Sequence, residues 1–351
     1  MSAPHLWVRA EQRDNETRVG ITPDGVAALM AEGFAVSVEA SESRVIATEA
    51  YRATGCAIVP AHSWPDAPEG AIVFGLKELP DDGTPLRHRH IMFGHAFKGQ
   101  SAGQRLLKRF KAGGGKLLDL EYLTDEKGRR VAAFGYWAGF AGAAVSLKCW
   151  AAQQQGAICG AVAPYANAEE MKKALKQELG DGKPPTALII GALGRVGNGA
   201  ADLCRAMDVP VTGWDMAETA HGGPFPEILE HDIFLNCILA GPQTPVFVPK
   251  NALTAKRRLS VIGDIACDPD SAFNPVPVYD RVTCWEAPAR RVHDAPPLDV
   301  MAIDNLPSML PLESSKDYAA QLLPTLKALK GDPDGVWARA EGLFRDHLSK
   351  A

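Results

Sequence analysis

The segment IIGALGRVGNGA, residues 189–200, constrains this chain more than any other. An apolar run ends in closely spaced glycines and passes into GAADLCRAM, a stretch compatible with a helix. Glycines in that setting expose backbone N–H groups at a helix N-terminus, which is how a chain cradles a dinucleotide pyrophosphate. The turn arrives only after more than half of the 351 residues have passed, so something of domain size precedes it.

Taken alone, Gly191-Ala-Leu-Gly194-Arg-Val-Gly197 is also compatible with a plain helix-packing turn, and its first gap is one residue longer than in the usual G-x-G-x-x-G. Context favours the nucleotide. TALII precedes the turn, and the next strand, VTGWD, ends in Asp215, placed to accept hydrogen bonds from the adenosine ribose hydroxyls. The same charge repels a 2'-phosphate, so the cofactor reads as NAD rather than NADP.

Composition limits the partners. With 46% hydrophobic and 23% charged residues the chain reads as globular and able to bury sizeable cores. The net charge is -5 and the basic residues are scattered, so the positive stripe that nucleic acid or an anionic membrane requires is missing. The seven cysteines form no C-x-x-C pair and no zinc-like spacing; they read as reduced thiols of a cytoplasmic protein without a bound metal. The opening MSAPHLWVRAEQRDNETRV is charged almost at once and reads as lacking a signal peptide. One segment, VAAFGYWAGFAGAAVSL, is nearly apolar enough to suggest lipid, but it is short, rich in glycine and closed by Lys148; its later part reads as a helix buried between domains.

Along the chain two units repeat one scheme. HLWVRA, FAVSVEA, AIVFGLK, HIMFGHA and KLLDLEYL read as strands, with TPDGVAALMAEG as a helix capped by Thr22 and AGQRLLKRFKA as another. TALIIGA, VPVTGWD, DIFLNCI, RLSVIGDIA and LDVMAID form the second set, with a helix after Gly197. Apolar runs joined by helices imply parallel sheets covered on both faces. The fold class is therefore α/β, with parallel sheets flanked by helices in two domains, residues 1–133 with 312–351 and residues 134–311. The closing helices SKDYAAQLLPTLKALK and DGVWARAEGLFRDHLSK lack a sheet of their own and are expected to return to the first domain.

Open parallel sheets bind ligands outside the carboxyl ends of their strands. Three first-domain strands end in Lys77, His95 and Glu121, and Arg13, Glu16 and Arg18 follow the first strand at the same edge. Each residue singly is as easily a solvated cap or surface charge; together with Arg129 and Arg130 they suggest a multiply anionic small molecule.

The segment from RAE at Arg9 through E-T-R to TP, and the blocks GLKELP, FGHAFKGQ, DLEYL, GRRVAAFG, IIGALGRVGNGA, GGPFPEI and IDNLPSMLP, in this order over nearly the whole length, resemble the NAD-dependent, lysine-forming saccharopine dehydrogenases. Several blocks are shared with alanine dehydrogenase and transhydrogenase. The resemblance implies two Rossmann-like domains with the active site in the interdomain cleft, and a reaction of saccharopine, NAD and water giving L-lysine, 2-oxoglutarate and NADH, with Lys77 as amine base and His95 as second acid–base group. It implies substrate binding by Arg18, Glu78, Lys98, Glu121, Arg129, Arg130 and Phe134. On the cofactor side it implies Gly191, Gly194, Arg195, Val196 and Gly197 at the pyrophosphate, Asp215 and Thr219 at the ribose, Leu239 and Ile265 along the adenine or nicotinamide path, and Asp304 and Leu306 beside the cleft. Arg13 stands where family members often carry lysine. The expected state is a monomer or weak homo-oligomer. An alanine dehydrogenase-like enzyme and a non-catalytic NAD-binding sensor remain as alternatives.

Overall fold

A computed structural model describes residues 4–13, 15–331 and 335–350. Contacts divide the chain into two compact units, Met1–Ala133 with Leu312–Ala351, and Phe134–Pro311.

The first unit carries β1 (His5–Val8), α1 (Pro23–Ala31), β2 (Ala35–Glu39), α2 (Thr48–Arg52), β3 (Ala57–Val59), β4 (Ile72–Phe74), β5 (Arg89–Met92), α3 (Ser101–Gly113) and β6 (Lys116–Asp119). Its six strands run parallel in the order β3-β2-β1-β4-β5-β6. The chain winds outward from β1 through β3, then restarts on the other side of β1 with β4. That reversal opens a crevice at the carboxyl ends of β1 and β4, the place where such sheets take ligands. α1 starts where the sequence signals it: the Thr22 hydroxyl accepts the Gly25 N–H at 3.3 Å, Pro23 occupies the first turn, and Val26 and Leu29 face inward.

The second unit carries α4 (Gly135–Gln154), α5 (Ala168–Leu179), β7 (Ala187–Ile190), α6 (Arg195–Ala206), β8 (Val211–Trp214), α7 (Met216–Thr219), α8 (Pro226–Glu230), β9 (Ile233–Asn236), β10 (Val261–Asp264), β11 (Arg290–Asp294) and β12 (Pro297–Met301). Its sheet has the order β11-β12-β10-β9-β7-β8. Here the reversal falls between β7 and β9. The expectation of an all-parallel sheet fails at one edge, where β11 pairs antiparallel with β12. RRVHD is polar and only partly buried, as an edge strand tolerates, so it lacks the apolar run by which its neighbours are recognised.

Two further boundaries differ from the sequence reading. β6 stops at Asp119 because that side chain caps a 3₁₀ turn, Leu120–Tyr122, where a longer strand was expected. α6 begins at Arg195 rather than after Gly197, with Gly194 as its N-cap. The closing helices α9 (Pro311–Lys327) and α10 (Val336–Leu348) complete the first unit, α10 packing on β6 and α3.

α4 is apolar around nearly its whole circumference, and residues 139–147 are all buried. It lies within the second unit, crossing α6 and resting on β10. Among the described residues no helix is long and apolar enough to cross a membrane. The crossing of α4 and α6 is glycine against backbone on both sides. A Cβ at Gly139 would overlap the Val196 carbonyl, and one at Gly199 the Tyr136 carbonyl. Gly199→Val is therefore expected to lower the unfolding free energy by at least about 2 kcal/mol in urea titrations, because neither helix backbone can retreat without opening the core.

Candidate active site

In the first unit the site begins with buried ions beneath the β1–β4 crevice. Arg9, 2% exposed, donates to the Lys77 carbonyl and pairs with Glu11 at 3.3 Å. The Glu11 carboxylate accepts the backbone N–H groups of Leu76 and Lys77 at 2.6 and 3.0 Å. Gly75 makes this possible: a Cβ there would collide with the Arg9 guanidinium. The loop bearing Lys77 is thus fixed by its own backbone, leaving the ammonium for other work.

Burial and the positive charges of Arg18 and Arg13 lower the Lys77 pKa, with Glu16 and Glu78 opposing the last two. Arg18 and Glu16 form a buried two-point pair at 2.8 and 2.6 Å. Burial works to raise the Glu16 carboxyl, but the Arg18 contacts prevail and hold it below its usual range. Glu78 reaches Arg13 at 3.5 Å near the surface.

The loop after β5 lies beside the Lys77 loop. Their backbones continue the sheet ladder past the strands, Gly75 N–H to Ile91 carbonyl at 3.0 Å and Phe93 N–H to Leu76 carbonyl at 2.8 Å. His95 then takes a left-handed conformation, φ +48°, which costs a non-glycine residue about 1–3 kcal/mol. Its Nδ1 lies 3.3 Å from Glu121 Oε2, while Lys98 Nζ lies 3.0 Å from Oε1 of the same carboxylate. The His95 contact first, then Lys98, push the Glu121 carboxyl down to about 2 despite partial burial. Lys98, which burial alone would lower, is raised by Glu121, with the Arg130 charge nearby.

Glu121, His95, Lys98 and Arg130 therefore share one corner of this unit, and Lys77, Arg18, Glu16, Arg13 and Glu78 share the adjoining loops. Arg129 does not join them. It pairs with Asp125 in a surface turn, with its side chain 73% exposed, because Arg129 and Arg130 alternate sides of a short antiparallel bridge at Arg130. Sequence reasoning gave no role to Arg9, Glu11 and Asp119, whose contacts are internal. Asp119, 1% exposed, accepts the N–H groups of Gly94 and Glu121.

In the second unit a cavity of about 1110 Å³ opens at the β7–β9 reversal, lined by Gly191, Gly194, Asp215, Thr219 and Leu239 among others. Gly191 has φ +88°, and a Cβ at Gly197 would overlap the Gly191 carbonyl, so the turn requires both glycines. Gly194, which lines the cavity, caps α6 without a side-chain hydrogen bond. The Asp215 carboxylate is braced by the Leu193 and Met216 N–H groups at 3.1 and 2.9 Å.

Leu193, Met216 and Leu239 are 82, 83 and 84% exposed and all border this cavity. Uncovered apolar side chains around a carboxylate and a glycine turn suit a planar base, a ribose and a pyrophosphate, so the residues present fit NAD. Met216, Ile238 and Thr244, which also line the cavity, were not anticipated. Six expected positions fall outside its lining: Arg195, Val196 and Gly197, which stand in the first turn of α6, and Ile265, Leu306 and Asp304. Ile265 and Leu306 are core side chains packed over Gly142 of α4, and Asp304 is exposed near Cys267. Phe134, partly buried, caps the start of α4.

Residues 7–141 match the family model described as alanine dehydrogenase/PNT, N-terminal domain. The whole chain is more informative. It is 42% identical to the saccharopine dehydrogenase [NAD(+), L-lysine-forming] of Candida albicans, covering 98% of this chain and 97% of that protein. The protein of the same name from Schizosaccharomyces pombe is also 42% identical, with 100% of both chains covered. This chain belongs to the NAD-dependent, L-lysine-forming saccharopine dehydrogenase family. Its membership rests on both units, since the match runs through the glycine turn as well as the Lys77 and His95 loops. Among solved structures, an L-alanine dehydrogenase matches with a TM-score of 0.68 at 18% identity, covering 97% of this chain and 93% of that one. The transhydrogenase of Sinorhizobium meliloti gives 0.63 at 16%, covering 96% and 97%. These two likenesses establish the fold: two Rossmann-like α/β units.

The depressed Glu121 carboxyl has a consequence for saccharopine dehydrogenase family members built this way. The unfolded chain takes up a proton at Glu121 near 4.5, the folded chain only near 2, so this group's stabilisation is complete above about pH 5 and fades as pH falls towards 2. Glu121→Gln should therefore lose melting temperature less steeply than the parent between pH 5 and 3 in calorimetry.

Proposed function

We propose that this chain catalyses the oxidative deamination of saccharopine with NAD and water to L-lysine, 2-oxoglutarate and NADH, and the reverse reductive condensation. The observation that carries the chemistry is the Lys77 ammonium, buried beside Arg18 and Arg13 with its pKa lowered. A carbon bearing a secondary amine gives up hydride only when that amine is unprotonated, so a base working near neutrality must stand by. Desolvation and neighbouring cations are what give a lysine that character. Lys77 takes the amine proton in this reading.

The imine that results on the substrate must add water and collapse. His95 takes the proton from that water and delivers it to the departing amine, with Glu121 steadying the imidazolium it becomes. Lys98 shares the Glu121 carboxylate through its other oxygen. Arg130 and Arg18 supply fixed positive charge to the substrate carboxylates, with Glu78 and Phe134 bordering the substrate; Arg129 belongs to the surface turn and is assigned at most to approach. In the second unit the Gly191–Gly197 turn and Asp215 hold the dinucleotide, Thr219 adds a ribose contact, and Leu239 borders the base. Bound NAD supplies the hydride acceptor. The carboxylate at Asp215 selects it over its 2'-phosphorylated form.

Seven cysteines without a disulfide fit a reducing compartment, and we place the protein in the cytoplasm as a monomer or weak homo-oligomer. The reaction separates this reading from its competitors. NADH should be oxidised with 2-oxoglutarate plus lysine and not with pyruvate plus ammonia; the opposite preference marks an alanine dehydrogenase-like enzyme, and NADH binding without either turnover marks a sensor. Lys77→Met and His95→Gln are each expected to lower kcat by about 10²- to 10⁴-fold, with the NADH dissociation constant from fluorescence titration within about threefold of the parent.

A further inference from the structure

Beneath the His95 loop lies a carboxylate to which neither the sequence analysis nor the proposed reaction gives a role. Asp119 ends β6, is 1% exposed, and spends each oxygen on a different loop: Oδ2 accepts the Gly94 N–H at 3.2 Å and Oδ1 the Glu121 N–H at 3.0 Å. We propose that Asp119 is a positioning residue for the acid–base pair, holding the residue before His95 and the backbone of Glu121 to one point so that imidazole and carboxylate meet. The proposal rests on the assignment of His95 above.

Three features support it. His95 is left-handed, and a backbone held in that region needs its neighbours fixed by contacts outside itself. Gly94, immediately before it, is so close to Leu117 and Asp119 that an added Cβ would lie 2.7 Å from the former and 3.3 Å from the latter Oδ2, so the loop is seated directly on this side chain. A buried carboxylate is also harder to hold than a neutral acceptor. Burial raises the Asp119 carboxyl to about 6, opposed by its two N–H donors and by the charge of His95. Asp119 and His95 are close enough for their charges to interact, while Glu121 meets the ring directly at 3.3 Å.

Other groups also face this corner. Lys98 reaches Glu121, Arg130 and Tyr122 lie around Lys98, and Tyr318 lies beyond Phe93, whose ring stacks on His95 at 6.3 Å. Tyr318 is also within the fields of Asp119 and Arg130. Asp119 bonds to the backbone of both loops.

Asp119→Asn separates charge and geometry from mere folding, because an amide keeps the shape, loses the charge and turns an N–H donor against one of its two N–H partners. In the full-length chain it should lower kcat about 10- to 100-fold while leaving the NADH dissociation constant within about threefold. Removing negative charge beside a base weakens its hold on a proton, so the acid limb of kcat should move to lower pH by roughly 0.5 to 1 unit. At a fixed pH, the His95 ring resonances, assigned by their loss in His95→Gln, should be displaced. That last readout needs no turnover, so it distinguishes failure of this proposal from failure of the assigned reaction. An unmoved acid limb with unmoved ring resonances overturns the proposal, whatever the rate. Should Asp119→Asn fail to fold, Asp119→Ser takes its place with the same expectations; failure of both to fold makes Asp119 a folding residue and equally overturns it.

Discussion

The first unit depends on ion pairs that water does not reach. Arg9, Glu11, Glu16 and Arg18 lie under the β1–β4 crevice, two acids and two guanidinium groups, with Arg9, Glu16 and Arg18 each 3% exposed or less. Burying such charges is expensive, and removing one partner of a buried pair typically costs about 3–5 kcal/mol because the other is left uncompensated. What the arrangement gains is placement. Glu11 grips the backbone at Leu76 and Lys77, Arg9 grips the Lys77 carbonyl, and Arg18 is fixed by Glu16 as a positive neighbour. A lysine whose loop is held by its backbone can keep its ammonium unpaired by any close carboxylate. That is the condition under which burial and like charge lower its proton affinity; a direct carboxylate partner would reverse the effect.

Both units use the same device at different scales of charge. Each sheet reverses its strand order once, and each reversal gathers loops from strands distant in sequence. In the first unit those loops carry ions; in the second they carry glycines, one braced carboxylate and uncovered apolar side chains. The difference follows from what each loop can hold. A glycine turn leaves backbone N–H groups as its only donors, suited to a phosphate without adding net charge, whereas lysine, arginine and histidine supply movable protons and fixed cations.

Much of this was legible from particular residues. Apolar runs ending in Lys77, His95 and Glu121 located three adjacent strand ends, and the interval from Gly191 to Asp215 located a glycine turn and a carboxylate that line one cavity, because period and spacing survive in a linear sequence. Burial of charge does not. Nothing in RAEQ distinguishes Arg9 and Glu11 as internal from two solvated residues, and Asp119 reads as one more polar residue at a strand end. Arg129 and Arg130 illustrate the opposite error: adjacent in sequence, they were read together, yet on a short antiparallel bridge neighbours face opposite ways, and only Arg130 stays with Lys98. Ile265 and Leu306 stand near strand and helix ends, but their apolar side chains had a nearer use in closing the core over Gly142. β11 escaped because an edge strand need not be apolar on either face.

The three carboxylates with assigned or proposed work, Glu121, Asp119 and Asp215, show how little the residue type alone determines. Glu121 meets a histidine and a lysine and is held ionised far into the acid range. Asp119 meets two backbone N–H groups in a closed space, and there desolvation outweighs the hydrogen bonds it receives. Asp215 also accepts two backbone N–H groups, but on a partly open cavity wall. A carboxylate in the first setting is paired with a histidine and a lysine, in the second it ties two loops together, and in the third it stands with its acceptors at a cavity wall. Swapping the sequences around them would exchange those capacities without changing any of the three side chains' intrinsic chemistry, which is why the site has to be read from its surroundings upward.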